Sequence, residues 1–187
     1  MQQENVRIAV VLGGNTTGRT GPVVSAWFLD RIAGREGLGI DVLDVAELDP
    51  GDGHGTPLDA FSAAVDAADG FVVVTPEYNH GYPGPLKSAI DSARKEWFAK
   101  PVSFVSYGGM SGGLRAVEQL RAVFSELHAT TVRTSVSLHN AQHMFDAGGA
   151  PVEDLRGAED AVGEMLDQLV WWSLSLREAR ARRPYPG

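Results

Sequence analysis

The chain has 187 residues, 43% of them hydrophobic, a formal net charge of −8 and no cysteine. That length suits one domain with a full core. The acidity argues against nucleic acid or anionic membranes as partners held by bulk electrostatics, and the missing cysteines exclude disulfides, thiolate catalysis and cysteine metal sites. The N-terminus has no basic region ahead of an apolar core and no apolar run is long enough to span a membrane, so a soluble cytoplasmic protein is expected.

In chain order, V-R-I-A-V-V-L at Val6–Leu12 reads as a first strand. It runs into G-G-N-T-T-G-R-T-G at positions 13–21 and then Pro22, expected as the first helical residue because its missing N–H costs nothing there. Val24, Trp27, Phe28 and Ile32 follow at helical spacing. A short second strand is expected over 40–45, a glycine- and acid-rich loop over 47–57, and a helix over 58–68. Residues 71–75 (F-V-V-V-T) are uniformly apolar and β-branched, which marks a strand buried on both faces of a parallel sheet. The loop after it, 75–83, carries a carboxylate, two tyrosines, an amide and a histidine. Gly84 and Pro85 then restart a helix over 86–94.

A fourth strand over 102–106 ends in Y-G-G-M-S-G-G at positions 107–113, and Val117, Leu120, Phe124 and Leu127 line one face of the next helix. Residues 131–138, rich in β-branched side chains, are expected as a single fifth strand. In the last helix Val162, Met165, Leu169, Trp172 and Leu176 share a face. Trp171 and Trp172 are adjacent and cannot both face inward, which leaves one for a subunit contact. The basic tail from about 178 is expected to fray.

Strands alternating with helices make a parallel sheet covered on both faces. The five-stranded choice is a flavodoxin-like three-layer sandwich in the order 2-1-3-4-5, as a single domain over 1–187. In that order the first and third strands flank the switch point, with the fourth beside them. Three polar or glycine-rich loops, distant in sequence, then share one crevice.

The first loop supplies hydroxyls from Thr16, Thr17 and Thr20, the cation Arg19 and adaptable backbone at Gly18 and Gly21, all at a helix start that favours an anion. A nucleotide-triphosphate loop needs lysine where Arg19 stands and a magnesium-binding aspartate at a later strand end, and neither is present. The dinucleotide fingerprint needs glycine where Asn15 stands. The second loop offers backbone donors and the apolar faces of Tyr78 and Tyr82 to a flat heteroaromatic ring. In the third, Gly108, Gly109, Gly112 and Gly113 let backbone approach the same ring. A ring-plus-phosphate ligand fits the set, and flavin mononucleotide (FMN) is the obvious candidate.

The run T-P-E-Y-N-x-x-x-P-G-x-L-K-x-A-I-D at positions 75–91 and S-Y-G-G-M-S-G-G-L-R-A-V-E-Q-L-R at 106–121 resemble the two signatures of the NADPH-dependent FMN reductase family. The resemblance implies FMN held without a covalent link, with NAD(P)H as electron donor, and homodimers or homotetramers with the flavin near a subunit interface. By it, Gly14, Asn15, Thr16, Thr17, Gly18, Arg19, Gly21 and Pro22 surround the phosphate. Pro76, Glu77, Tyr78 and Asn79 border one edge of the flavin ring, and Tyr107, Gly108, Gly109, Gly112 and Gly113 the other. Relatives often carry G-S-T-R-x-G-R in the first loop. Here Gly14 and Thr16 replace the serine and the first arginine, which implies weaker FMN retention.

The expected activity is ping-pong transfer from NAD(P)H through FMN to a quinone-like or other small oxidised acceptor, with no catalytic side chain required. A flavodoxin-like electron carrier and a biosynthetic flavin reductase with one narrow substrate are the alternatives. Tyr78, His80 and Tyr82 are the candidate substrate contacts. His139 and His143 could share a helix face, but no third ligand is evident and no metal is expected.

Overall fold

A computed structural model describes residues 5–14, 20–48 and 58–187. Strand β1 (Val6–Leu12) is followed by helix α1 (Thr20–Ile32), β2 (Leu38–Asp44), α2 (Leu58–Ala67), β3 (Gly70–Pro76) and α3 (Gly84–Asp91). Then come β4 (Pro101–Tyr107), α4 (Leu114–Glu126), the short β5 (Thr130–Thr131) and β6 (Val136–Leu138), and α5 (Arg156–Arg182). All strand pairings are parallel and the order is β2-β1-β3-β4-β5, with β6 also on β4. This is the flavodoxin-like order expected.

The two faces of the sheet follow from the alternation of side chains along each strand. Ile8, Val10, Val72, Val74, Val105 and Tyr107 pack with α1 and α5. Ala9, Val11, Phe71, Val73, Val102 and Phe104 pack with α2, α3 and α4. On the second face Trp97 is fully buried; its ring meets Phe61, Phe71 and Phe124, and its indole N–H donates to the Ile90 and Ala93 carbonyls at 3.1 Å. Every residue of β3 and β4 is buried, as a strand covered on both faces requires.

Four local expectations are corrected. Helix α1 begins at Thr20, so Pro22 lies inside its first turn rather than at its first position. The fifth strand is broken in two. Val102 pairs with Thr131 but Val105 pairs with Val136, so the outer strand carries two more residues than β4 over that interval. Side chains hold the bulge: Ser103 donates to the Thr134 carbonyl, and Arg121 to those of Val132 and Arg133. On α5 the inward face is Val162, Met165, Leu166, Leu169 and Ser173, while Trp171 and Trp172 both face outward, edge against face. The tail is docked, because α5 continues to Arg182. Arg180 donates to the Ala99 carbonyl, and Tyr185 lies against Phe98 and His128.

Candidate active site

The backbone ladder runs on past the C-terminal ends of β1, β3 and β4. The Gly13 amide donates to the Val74 carbonyl, Glu77 to Tyr107, and Gly108 to Leu138. Asn140 and Ala141 then donate to the carbonyls of Gly109 and Gly108. The loops are thus hydrogen-bonded to one another, and their geometry is set by the sheet.

The start of α1 and the loops after β3, β4 and β6 enclose a cleft of about 270 Å³. Thr20 and Gly21 reach it from the start of α1, Pro76, Glu77 and Tyr78 from β3, Tyr107, Gly108 and Gly109 from β4, and Gln142 from a short turn after β6. A second hollow of about 280 Å³ shares Gly21 and Tyr107 with the cleft and adds Gly14, Pro22, Ser25 and Asp44. Asn15, Thr16, Thr17, Gly18 and Arg19 lie outside the described residues.

The loop after β3 is tighter than its length suggests. Tyr78 and Gly81 exchange both backbone hydrogen bonds, at 2.9 and 3.0 Å, and Asn79 and His80 both have positive φ, 51° and 71°. Paired positive φ values mark the two-residue turn that suits a right-handed strand twist. The Tyr78 amide is consumed by this turn, so the donors left to a ligand are Asn79 and His80. Tyr78 is half exposed at the cleft. Tyr82 instead packs against the α2–α4 side of the core, and the exposed His80 accepts at its carbonyl from Gln119 at 2.8 Å.

The Glu77 side chain is 6% exposed and points at the start of α4. It accepts from the Arg115 amide at 3.1 Å and from the Arg115 guanidinium at 2.7 Å. Burial pushes its pKa up, but hydrogen bonds from Ser111 and Arg115 outweigh that and leave it below its ordinary value. Its charge is therefore committed to α4 and is not free to meet a ligand.

The glycine loop is pinned from below. Ser106 and Ser137 donate to the Gly112 carbonyl at 2.8 and 2.9 Å. Gly113 has φ +85°, and a Cβ there would stand 2.8 Å from the Tyr107 amide nitrogen. A Cβ on Gly109 would meet nothing within 4 Å, so this glycine alone in the loop both lines the cleft and faces open space. Gly112 and Gly113 shape the loop from behind. His139 and His143 share no helix face: Asn140, at φ 51°, turns the chain between them, and His139 Nδ1 donates to the Met110 carbonyl at 2.8 Å. Among the described residues no cluster of three acids or histidines could hold a metal ion.

A profile of the NADPH-dependent FMN reductases matches residues 6–143. The chain belongs to that family. An NAD(P)H-dependent FMN reductase of Schizosaccharomyces pombe is 33% identical over 120 residues, covering 57% of this chain and 60% of that one. A probable NADPH:quinone oxidoreductase of Oryza sativa is 32% identical over 154 residues, 75% of each chain. With the S. pombe relative, then, this member of the family shares less than two thirds of the relative's length. Among solved structures, the flavoenzyme NAD(P)H:(acceptor) oxidoreductase FerB of Paracoccus denitrificans superposes with a TM-score of 0.67 at 19% identity, over 89% of this chain and 97% of that one. That likeness supports the fold.

The donor set fits the cofactor of the family's name. The first turn of α1 carries no acidic side chain, and its first residues face the cleft. A helix N-terminus of that kind accepts a phosphate monoester. At the other end, Pro76, Tyr78 and the open Gly109 offer flat apolar surface and uncrowded backbone to a ring. Gln142 was not legible as a site residue. It reaches the cleft because Asn140 and Ala141 bond to the glycine loop, and no motif announces that.

Proposed function

We propose that this chain is an FMN-dependent NAD(P)H oxidoreductase acting on a quinone-like or other small oxidised acceptor. The observation that carries the reading is the meeting of the start of α1 with the loops after β3 and β4 in one cleft, in a member of the FMN reductase family. When bound, FMN supplies the two-electron chemistry, taking a hydride from NAD(P)H and giving it to the acceptor.

The protein's part is position and electrostatics. The start of α1 would hold the phosphate, with Thr16, Thr17, Gly18 and Arg19 added from the sequence. Pro76 and Tyr78 on one side and Gly108 and Gly109 on the other would border the ring. The amides of Asn79 and His80, left over by the Tyr78–Gly81 turn, would donate where negative charge builds. Tyr78 offers its half-exposed face to a flat substrate, so donor and acceptor would take turns on one open surface. No side chain is required as a nucleophile. Self-association as a homodimer or homotetramer belongs to the same proposal, supported by the exposed Trp171 and Trp172. Light scattering that finds a monomer at micromolar concentration removes that part. No helix among the described residues is long and apolar enough to cross a membrane.

The test is an absorption spectrum of the purified protein with added FMN, followed by anaerobic mixing with NADH or NADPH. Bleaching of the bound flavin, and parallel lines in steady-state kinetics with a quinone, are expected. A bound flavin that neither nucleotide bleaches would instead mark an electron carrier.

A further inference from the structure

We propose that Tyr107 binds the phosphate-bearing end of FMN, its phenol hydroxyl taking the place of the side chain that Gly14 lacks. The proposal rests on the cofactor reading above and deepens it. In the sequence, Tyr107 reads as a wall for the flavin ring, at the lip of the glycine loop. Its side chain goes elsewhere. The ring is buried on the α1 and α5 side of the sheet, only 5% exposed, and the phenol oxygen lies beside Gly14. A Cβ built on Gly14 would stand 2.5 Å from that oxygen, and no other atom would come nearer than 3.8 Å. A side chain at position 14 would have to displace one atom, the phenol oxygen, which occupies its space.

Tyr107 stands beside open volume. Tyr107 borders both the cleft and the hollow behind it, the two spaces that meet at Gly21 in the first turn of α1. Among the described residues its oxygen has no hydrogen-bond partner. A phenol hydroxyl whose ring is fixed by packing, and which borders open space without a protein partner, is a donor that a ligand can use. Burial, and then the neighbouring Tyr78 and Asp44, push its ionisation well above the ordinary value, so it remains a donor at any working pH. Asp44, the acid in the same hollow, already accepts from the Ala46 amide at 2.9 Å. A neutral donor beside a helix N-terminus suits a phosphate oxygen. It would offset part of what the first loop loses by having no side chain at position 14.

The experiment compares FMN with riboflavin, which lacks the phosphate, by quenching of flavin fluorescence on apoprotein. Tyr107→Phe keeps the buried ring and removes the hydroxyl; an unchanged thermal midpoint without flavin shows that the fold is kept. FMN affinity is expected to fall about tenfold or more, as for a lost hydrogen bond to a charged group, with riboflavin affinity held within about twofold. Gly14→Ser in the wild-type background sets its Cβ against the phenol oxygen and is expected to weaken FMN binding. In Tyr107→Phe that oxygen is gone, so the Gly14→Ser/Tyr107→Phe double variant is expected to recover most of the lost FMN affinity. Unchanged FMN binding by Tyr107→Phe, equal losses for FMN and riboflavin, or a double variant no better than Tyr107→Phe would each overturn the proposal. Wild-type protein that binds neither flavin sinks the cofactor reading itself, a different result from any of these.

Discussion

The Glu77 carboxylate receives both the backbone amide and the guanidinium of Arg115, tying the loop after β3 to the first turn of α4 across 38 positions of sequence. An acid at a helix N-terminus is also favoured by the helix dipole. The pair thereby fixes the spacing between the two loops that would border the flavin ring. Glu77→Gln keeps the shape and loses the charge. With Arg115 partly in solvent, a cost of about 1.5–2 kcal/mol is expected at pH 7. The folded carboxyl titrates below its ordinary 4.5. Its stabilisation is therefore complete above that pH and disappears as the pH falls through the lowered value. Urea unfolding at pH 7 and again near pH 4 should show the gap between wild type and Glu77→Gln narrowing in acid. An equal gap at both pH values contradicts the ion pair's role.

The glycines of the third loop separate into two kinds. Gly113→Ala places a methyl at φ +85° against the Tyr107 amide and the Ser106 side chain. Left-handed strain and the clash together should cost about 2–4 kcal/mol. Gly109→Ala meets nothing and should change stability by less than about 0.5 kcal/mol, yet its methyl enters the cleft and should weaken FMN binding. Chemical denaturation and flavin titration on the two variants check this. Similar stability losses for both would mean that Gly109 is structural as well.

Much of this was legible because burial and backbone chemistry leave marks in a sequence. The unbroken apolar runs of β3 and β4 announced strands covered on both faces, and the polar or glycine-rich stretches directly after them announced the two loops that line the cleft. Contacts between remote residues left no such mark. Nothing in residues 131–138 shows a two-residue bulge, because Val, Thr and Ser serve equally in a strand and in its interruption. The basic tail is expected to fray, while what holds it is Arg180 on the Ala99 carbonyl and Tyr185 lying against Phe98 and His128. The fit of the Tyr107 oxygen beside Gly14 depends on a rotamer and a loop path that periodicity does not encode.

The Tyr78–Gly81 turn bears on the role of His80. A two-residue turn with both φ values positive prefers Asn-Gly, and His80 is held at φ 71° where glycine carries no penalty. His80→Gly should stabilise the protein by about 0.5–1 kcal/mol. If His80 also touches substrate, kcat/KM for a quinone should fall in the same variant while FMN affinity stays unchanged. A stabilised variant with unaltered kinetics would leave His80 as a turn residue and remove it from the substrate contacts.

At the opposite end of the sheet, beside a hollow of about 390 Å³, Lys100 is buried just ahead of β4. Its ammonium donates to the Val65 and Asp66 carbonyls at the end of α2, at 2.8 and 2.6 Å, and lies 5.8 Å from the centre of the Phe71 ring. These are the partners of a helix C-terminal cap rather than of a ligand. Burial lowers its pKa from 10.5 to about 8, against the pull of Asp66. Between those two values the folded protein has released a proton that the unfolded chain still holds. Stability therefore rises with pH across this window, and the gain is lost as the pH falls back through about 8. The slope from this one group is at most roughly 1.4 kcal/mol per pH unit. Unfolding free energies at pH 8, 9 and 10 should rise in the wild type and rise less in Lys100→Met, which cannot titrate. Equal slopes in the two proteins would show that Lys100 keeps its proton as easily when folded as when unfolded.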